Sequence, residues 1–181
     1  MARCSHNAIR IVPLLVCVSL AWAARAVAAP TSTARAGLAL VEQAADAWAD
    51  DARLVWLEND APLDAEGRAA AWGFLFWSPA RGAMRSWSVR DGRLAIAEDH
   101  SVTAPAPAVE AWIDSDAIVQ RVQSRALESC ASGCSLETLL LVHGVFDKGT
   151  AWVAVFSTPE GPSLYVVCDA ASGRVLRDWR G

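Results

Sequence analysis

Two stretches eighty residues apart, AWGFLFWSP from Ala71 and AWVAVFSTP from Ala151, share four residues in the same places. Ala71, Trp72, Phe76 and Pro79 match Ala151, Trp152, Phe156 and Pro159. Trp87, Val89 and Asp91 then match Tyr165, Val167 and Asp169 at an offset of seventy-eight. Gly92-Arg93-Leu94 matches Gly173-Arg174-Val175 at eighty-one, and upstream Ala39-Leu40-Val41 matches Ala117-Ile118-Val119 at seventy-eight. A series of matches in chain order marks an internal repeat, so the chain is expected to build one unit twice.

The unit reads as one helix followed by about four strands. TSTARAGLALVEQAADAWADD has a Ser/Thr cap and apolar residues at Leu38, Val41, Ala45 and Trp48, a helical spacing. ARLVWLE, RAAAWGFLFWS, MRSWSVR and RLAIAED read as strands, the last two joined by Asp91-Gly92, a two-residue hairpin signal. The second helix is DSDAIVQRVQSRALESC, capped by Asp114 or Ser115 and ended by Gly133; four strands again follow it. Strand alternation puts Trp72, Phe74 and Phe76 on one face, and Trp152, Ala154 and Phe156 likewise, each face needing a helix to cover it. Trp56 and Trp87 are placed on the covered face as well. The fold class is therefore α+β: two tandem α-β-β-β-β repeats, about 31–99 and 109–181, joined by a Pro/Ala-rich linker over 100–108. Each repeat is small enough to be marginal alone, so a single domain over 29–181 is expected.

The first 28 residues read as a signal peptide: Arg3 and Arg10, an apolar run from Ile11, and a small-x-small site ending at Ala28. The run is short for a membrane span, which needs about 20 residues, and Val16 disfavours a lipid anchor on Cys17. Cleavage there removes three arginines and no acid, leaving thirteen basic against twenty acidic residues, a net charge of −7. Such a balance argues against nucleic acid and anionic membrane surfaces. The expected location is periplasmic or secreted, in a bacterium, with no stable membrane insertion after cleavage. In that oxidising setting Cys130 and Cys134 are expected to form a disulfide, their i, i+4 spacing placing the Cα atoms about 6 Å apart. Cys168, in the apolar run LYVVCDA, is expected to be a buried thiol.

SLYVVCDAASGRVL, in which a strand ends in Asp and a Ser-Gly turn leads to a Val-Leu strand, resembles the PepSY domain. Asp169, Ala170, Gly173 and Val175 match that family's hairpin, with Ser172 where Thr is common. The resemblance covers 148–179 directly and 70–97 through the repeat. It implies a small α+β module of peptidase propeptides and exported bacterial proteins that binds or inhibits and carries no catalytic residues. The secreted β-lactamase-inhibitor proteins are similar in plan alone, and plan does not fix function.

Catalytic signatures are missing from the sequence. His100 lies beside Ser101 in the linker with no nucleophile elbow, and His143 reads as a strand-end residue bonded to a neighbour. Glu58, Asp60, Asp64 and Glu66 do not fit a calcium loop, and Cys130, Cys134 and His143 lack the further ligands of a metal site. No metal and no cofactor are expected, nor is the chain expected to be an enzyme. By alternation Trp77 points away from Trp72, and with Trp179 it forms either a binding surface or packing between the repeats. The function expected is that of an exported, non-catalytic PepSY-like module that binds or inhibits another exported protein, a peptidase among the candidates. A small-ligand-binding or structural envelope role, using a cleft between the halves, is the alternative.

Overall fold

The computed structural model describes residues 30–101, 105–130, 133–146, 148–159 and 161–181. The expected signal peptide, residues 1–28, lies outside them, as do residues 102–104 of the expected linker. The fold is α+β, with two helices and one eight-stranded antiparallel sheet among the described residues. Helix α1 (Ala34–Trp48) precedes β1 (Arg53–Asn59), β2 (Ala71–Ser78), β3 (Ala83–Arg90) and β4 (Arg93–His100). Helix α2 (Ser115–Ser129) precedes β5 (Ser135–His143), β6 (Thr150–Ser157), β7 (Leu164–Asp169) and β8 (Val175–Arg180). In space the order is β4-β3-β2-β1-β5-β6-β7-β8, so each four-stranded meander begins at the centre and works outward.

Local chemistry explains the elements. The Thr33 side chain accepts from the Ala36 N–H at 3.4 Å, and Asp114 caps α2. Asp91 and Gly92 both take positive φ, 51° and 70°, which a two-residue hairpin between right-twisted strands requires. Both helices cover one face of the sheet, and the main core lies between. Leu38, Val41, Ala45 and Trp48 of α1 and Ile118, Val119, Val122 and Ala126 of α2 pack there with Trp72, Phe74, Phe76, Trp152, Ala154 and Phe156. The Trp72 indole donates to the Ser32 carbonyl at 2.8 Å and the Trp152 indole to the Ile113 carbonyl at 2.9 Å. Each acceptor immediately precedes a helix cap, so each buried tryptophan ties its strand to the start of a helix. Where Gly37 of α1 meets Phe74, with 3.0 Å between an added Cβ and the ring, α2 has Ile118 and β6 has Ala154. Bulk is exchanged between helix and strand.

Several expectations need correction. The helices start, end and cap 81 residues apart, so the match of Ala39-Leu40-Val41 at seventy-eight is out of register: Leu40 is 45 % exposed, whereas Ile118 is fully buried. Helix α2 ends at Ser129 with Cys130 as its cap, short of Gly133. A bulge between Leu54 and Trp56 turns Trp56 to the face away from the helices, while Trp87 does pack beneath α1. His100, expected in the linker, is the last residue of β4 and pairs with Met84.

The two meanders meet along β1 and β5 through three residue pairs, Trp56 with Val142, Leu57 with Leu141 and Glu58 with Leu140. Asn59 extends this seam: its Oδ1 accepts from the Leu139 N–H at 2.6 Å and its Nδ2 donates to the Glu137 carbonyl at 2.9 Å. The connection beyond residue 104 returns along the strand ends, with the Val109 N–H bonded to the Leu54 carbonyl and the Glu110 N–H to Thr150 Oγ1. No helix among the described residues is long and apolar enough to cross a membrane.

Candidate functional site

The face of the sheet opposite the helices carries the side chains that alternate with the core. In the first meander these include Trp56 and Glu58 from β1, Leu75 from β2, Ser86 and Ser88 from β3, and Ile96 and His100 from β4. They line a groove of about 490 Å³ over Gly73. Gly73 matters because a Cβ there would stand 3.0 Å from the Asp60 carboxylate. Its missing side chain lets Asp60 lie over the strand, where Ser88 donates to it at 3.3 Å.

The groove joins an apolar floor to hydrogen-bonding walls. Ser86 Oγ and His100 Nε2 are 2.8 Å apart. Burial holds the Glu58 carboxyl above its ordinary range, the Asp60 charge pushes the same way, and the Trp56 indole opposes them. Such a surface can bind a polypeptide or an amphipathic molecule with a positive group. Among the described residues no carboxylate bonds to the His100 ring, so Ser86 and His100 do not extend to a triad.

The residues singled out by sequence are dispersed. Trp77 does point away from Trp72, but it is only 7 % exposed and packs with Val55, Met84 and Ala106. The returning connection covers it, so it is not an open binding surface. Trp179 is half-buried on β8, stacked on Tyr165 with ring centroids 5.0 Å apart and flanked by Phe146 at 6.3 Å. Five strand spacings separate β2 from β8, about 24 Å, so Trp77 and Trp179 form no joint site.

Cys130 and Cys134 are at disulfide distance, with Cα atoms 6.0 Å apart. They border an apolar pocket of about 340 Å³ with Ala126, Leu127, Leu136 and Phe156, beneath the end of α2 and not between the two meanders. Cys168 is a buried free thiol whose pKa burial pushes up to about 11. His143 bonds to Thr150 Oγ1 at 3.0 Å. It stands at the far end of β5 from Cys134, and no cluster of three or more potential metal ligands occurs among the described residues. Asp64 accepts from the N–H groups of Glu66 and Arg68 and so closes its own loop.

The groove residues escaped the sequence because each is ordinary by itself and they come from four strands. One signal was present: Gly73 interrupts an aromatic strand where Val153 stands eighty residues later. Comparison with family models, with curated proteins and with solved structures returns no match.

Proposed function

We propose that this chain is an exported, non-catalytic binding module, built of two diverged PepSY-like halves, that engages another exported protein through the open face of its first meander. The observation that carries the proposal is the groove itself: apolar and hydrogen-bonding side chains from four strands, on the face that neither helix covers. Interface chemistry has this mixture of an apolar centre and polar rim. The PepSY resemblance makes a peptidase the partner class of first interest. Support for two related halves comes from the recurring α-β-β-β-β order and from the two indole-to-carbonyl ties. Export rests on the N-terminal sequence and accords with a cysteine pair at disulfide distance.

The test is capture of partners from the exported proteins of the native host, using the chain and two variants. Leu75→Arg places a charge on the groove floor, and Leu127→Arg places one on the 80 % exposed outer side of α2. A stoichiometric partner lost with the first variant and kept with the second is the expected result. Its retention by Leu75→Arg, or failure to capture any partner, would overturn the proposal. The pocket beside Cys130 and Cys134 favours a second reading, an apolar small ligand held under α2, which protection of Leu136 and Phe156 on adding extracted lipids would reveal.

A further inference from the structure

We propose that two copies of this chain pair antiparallel through β4, joining their sheets edge to edge about a twofold axis normal to the sheet. Among the described residues strand β4 ends the sheet, with β3 as its neighbour. Seven of its eight residues are exposed, Leu94 at 45 % and Ile96 at 57 % among them. A long edge of this kind is a template for another strand unless it is covered. The opposite edge is held from above by α2: Arg125 binds Asp178 at 2.9 Å, and Arg180 donates to the Ser129 carbonyl at 2.7 Å.

Charge decides what fits β4. Arg93 stands at its hairpin end, and Glu98 and Asp99 stand toward the other. Antiparallel self-pairing sets the positive end of each strand against the negative end of its mate; parallel pairing would set like against like. The bulge at Ala95 makes this consistent with the faces of the sheet. Arg93 pairs with Arg90, and Glu98 with Ser86, both on the open face; Leu94 pairs with Val89, and Ala97 with Trp87, both toward the helices. A register that opposes Arg93 to Glu98 of the mate therefore also opposes Leu94 to Ala97, with every pair on its proper face. Ile96 and His100 line the groove, so pairing sets the two grooves on either side of the new seam, and the mate supplies a wall that one copy lacks.

The full sequence, produced in a host that exports it and then purified, is examined by sedimentation velocity over a wide concentration range. A reversible dimer is expected. Arg93→Glu and Glu98→Arg should each weaken it at least about tenfold, since the twofold axis turns two attractive contacts repulsive, and the double variant should restore it to within about threefold. Amide exchange from Arg93 to Glu98 should slow as concentration rises. Thermal melts confirm that each variant is folded, and both side chains lie on the exposed strand. A monomer at every concentration, a dimer indifferent to either single reversal, or a folded double variant no stronger than the singles would each overturn the proposal.

Discussion

Replacing Trp72 or Trp152 by Phe tests whether the two indoles do the same work in the two halves. Both side chains are fully buried, and each donates one hydrogen bond, 2.8 Å to Ser32 and 2.9 Å to Ile113. The bond contributes about 1 kcal/mol net. The smaller ring adds about 1–2 kcal/mol in lost burial and residual cavity. Trp152 also meets Trp112 edge-on with centroids 5.6 Å apart, a contact that Phe retains. Each substitution should therefore cost about 2–3 kcal/mol, seen in urea as a midpoint lower by roughly 1–2 M. Hydrogen exchange separates the contributions: losing the tie should speed exchange at the start of α1 in Trp72→Phe and at the start of α2 in Trp152→Phe. A cost below about 0.5 kcal/mol for either, or one more than twice the other, would refute the equivalence.

Gly67 has φ of +74°, and a Cβ there would lie 2.5 Å from the Ser115 carbonyl oxygen, so Gly67→Ala should destabilise by about 3 kcal/mol or more in the same urea assay. The Ser78 hydroxyl and the Ala80 N–H hold the Asp51 carboxyl below its ordinary range. Its contribution is present above the unfolded value and lost as pH falls through the lower folded one. Asp51→Asn should accordingly lower the thermal midpoint at pH 7 and make little difference once the medium is more acidic than both values. Cys168, buried and with its pKa at about 11, should resist a thiol reagent at pH 8 in the native chain and react on unfolding; brisk labelling of folded protein would contradict its place in the core.

The strands and helices were largely legible because their signals are local: apolar spacing, helix caps and Asp91-Gly92. What escaped depends on contacts far apart in sequence. The bulge at Val55 reverses the face of Trp56, and strict alternation cannot anticipate it. Alternation gives Trp77 its side of the sheet, yet its cover comes from Ala106, in a stretch that reads as a linker without periodicity. The seam between β1 and β5 has three residue pairs and leans on the amide of Asn59, a residue type that reads as loop. Helical residues at positions 39–41 and 117–119 look alike by letter, but burial shows that the like faces lie 81 residues apart. The groove draws on Glu58, Ser86, Ser88 and His100, which carry no shared motif.

Placing the first strand of each meander at the centre of the sheet sets an order on assembly. A nascent chain completes α1 and β1–β4 before β5 exists, and until then β1 is a bare margin with its outer amides unpaired. Because β1–β5 is the ladder that joins the meanders among the described residues, that margin can also accept β5 of another molecule in place of its own. Refolding at high concentration should therefore generate exchanged dimers with the native number of ladders, and the short returning connection, by keeping β5 close at hand, is what favours the closed monomeric arrangement of each sheet when chains are dilute.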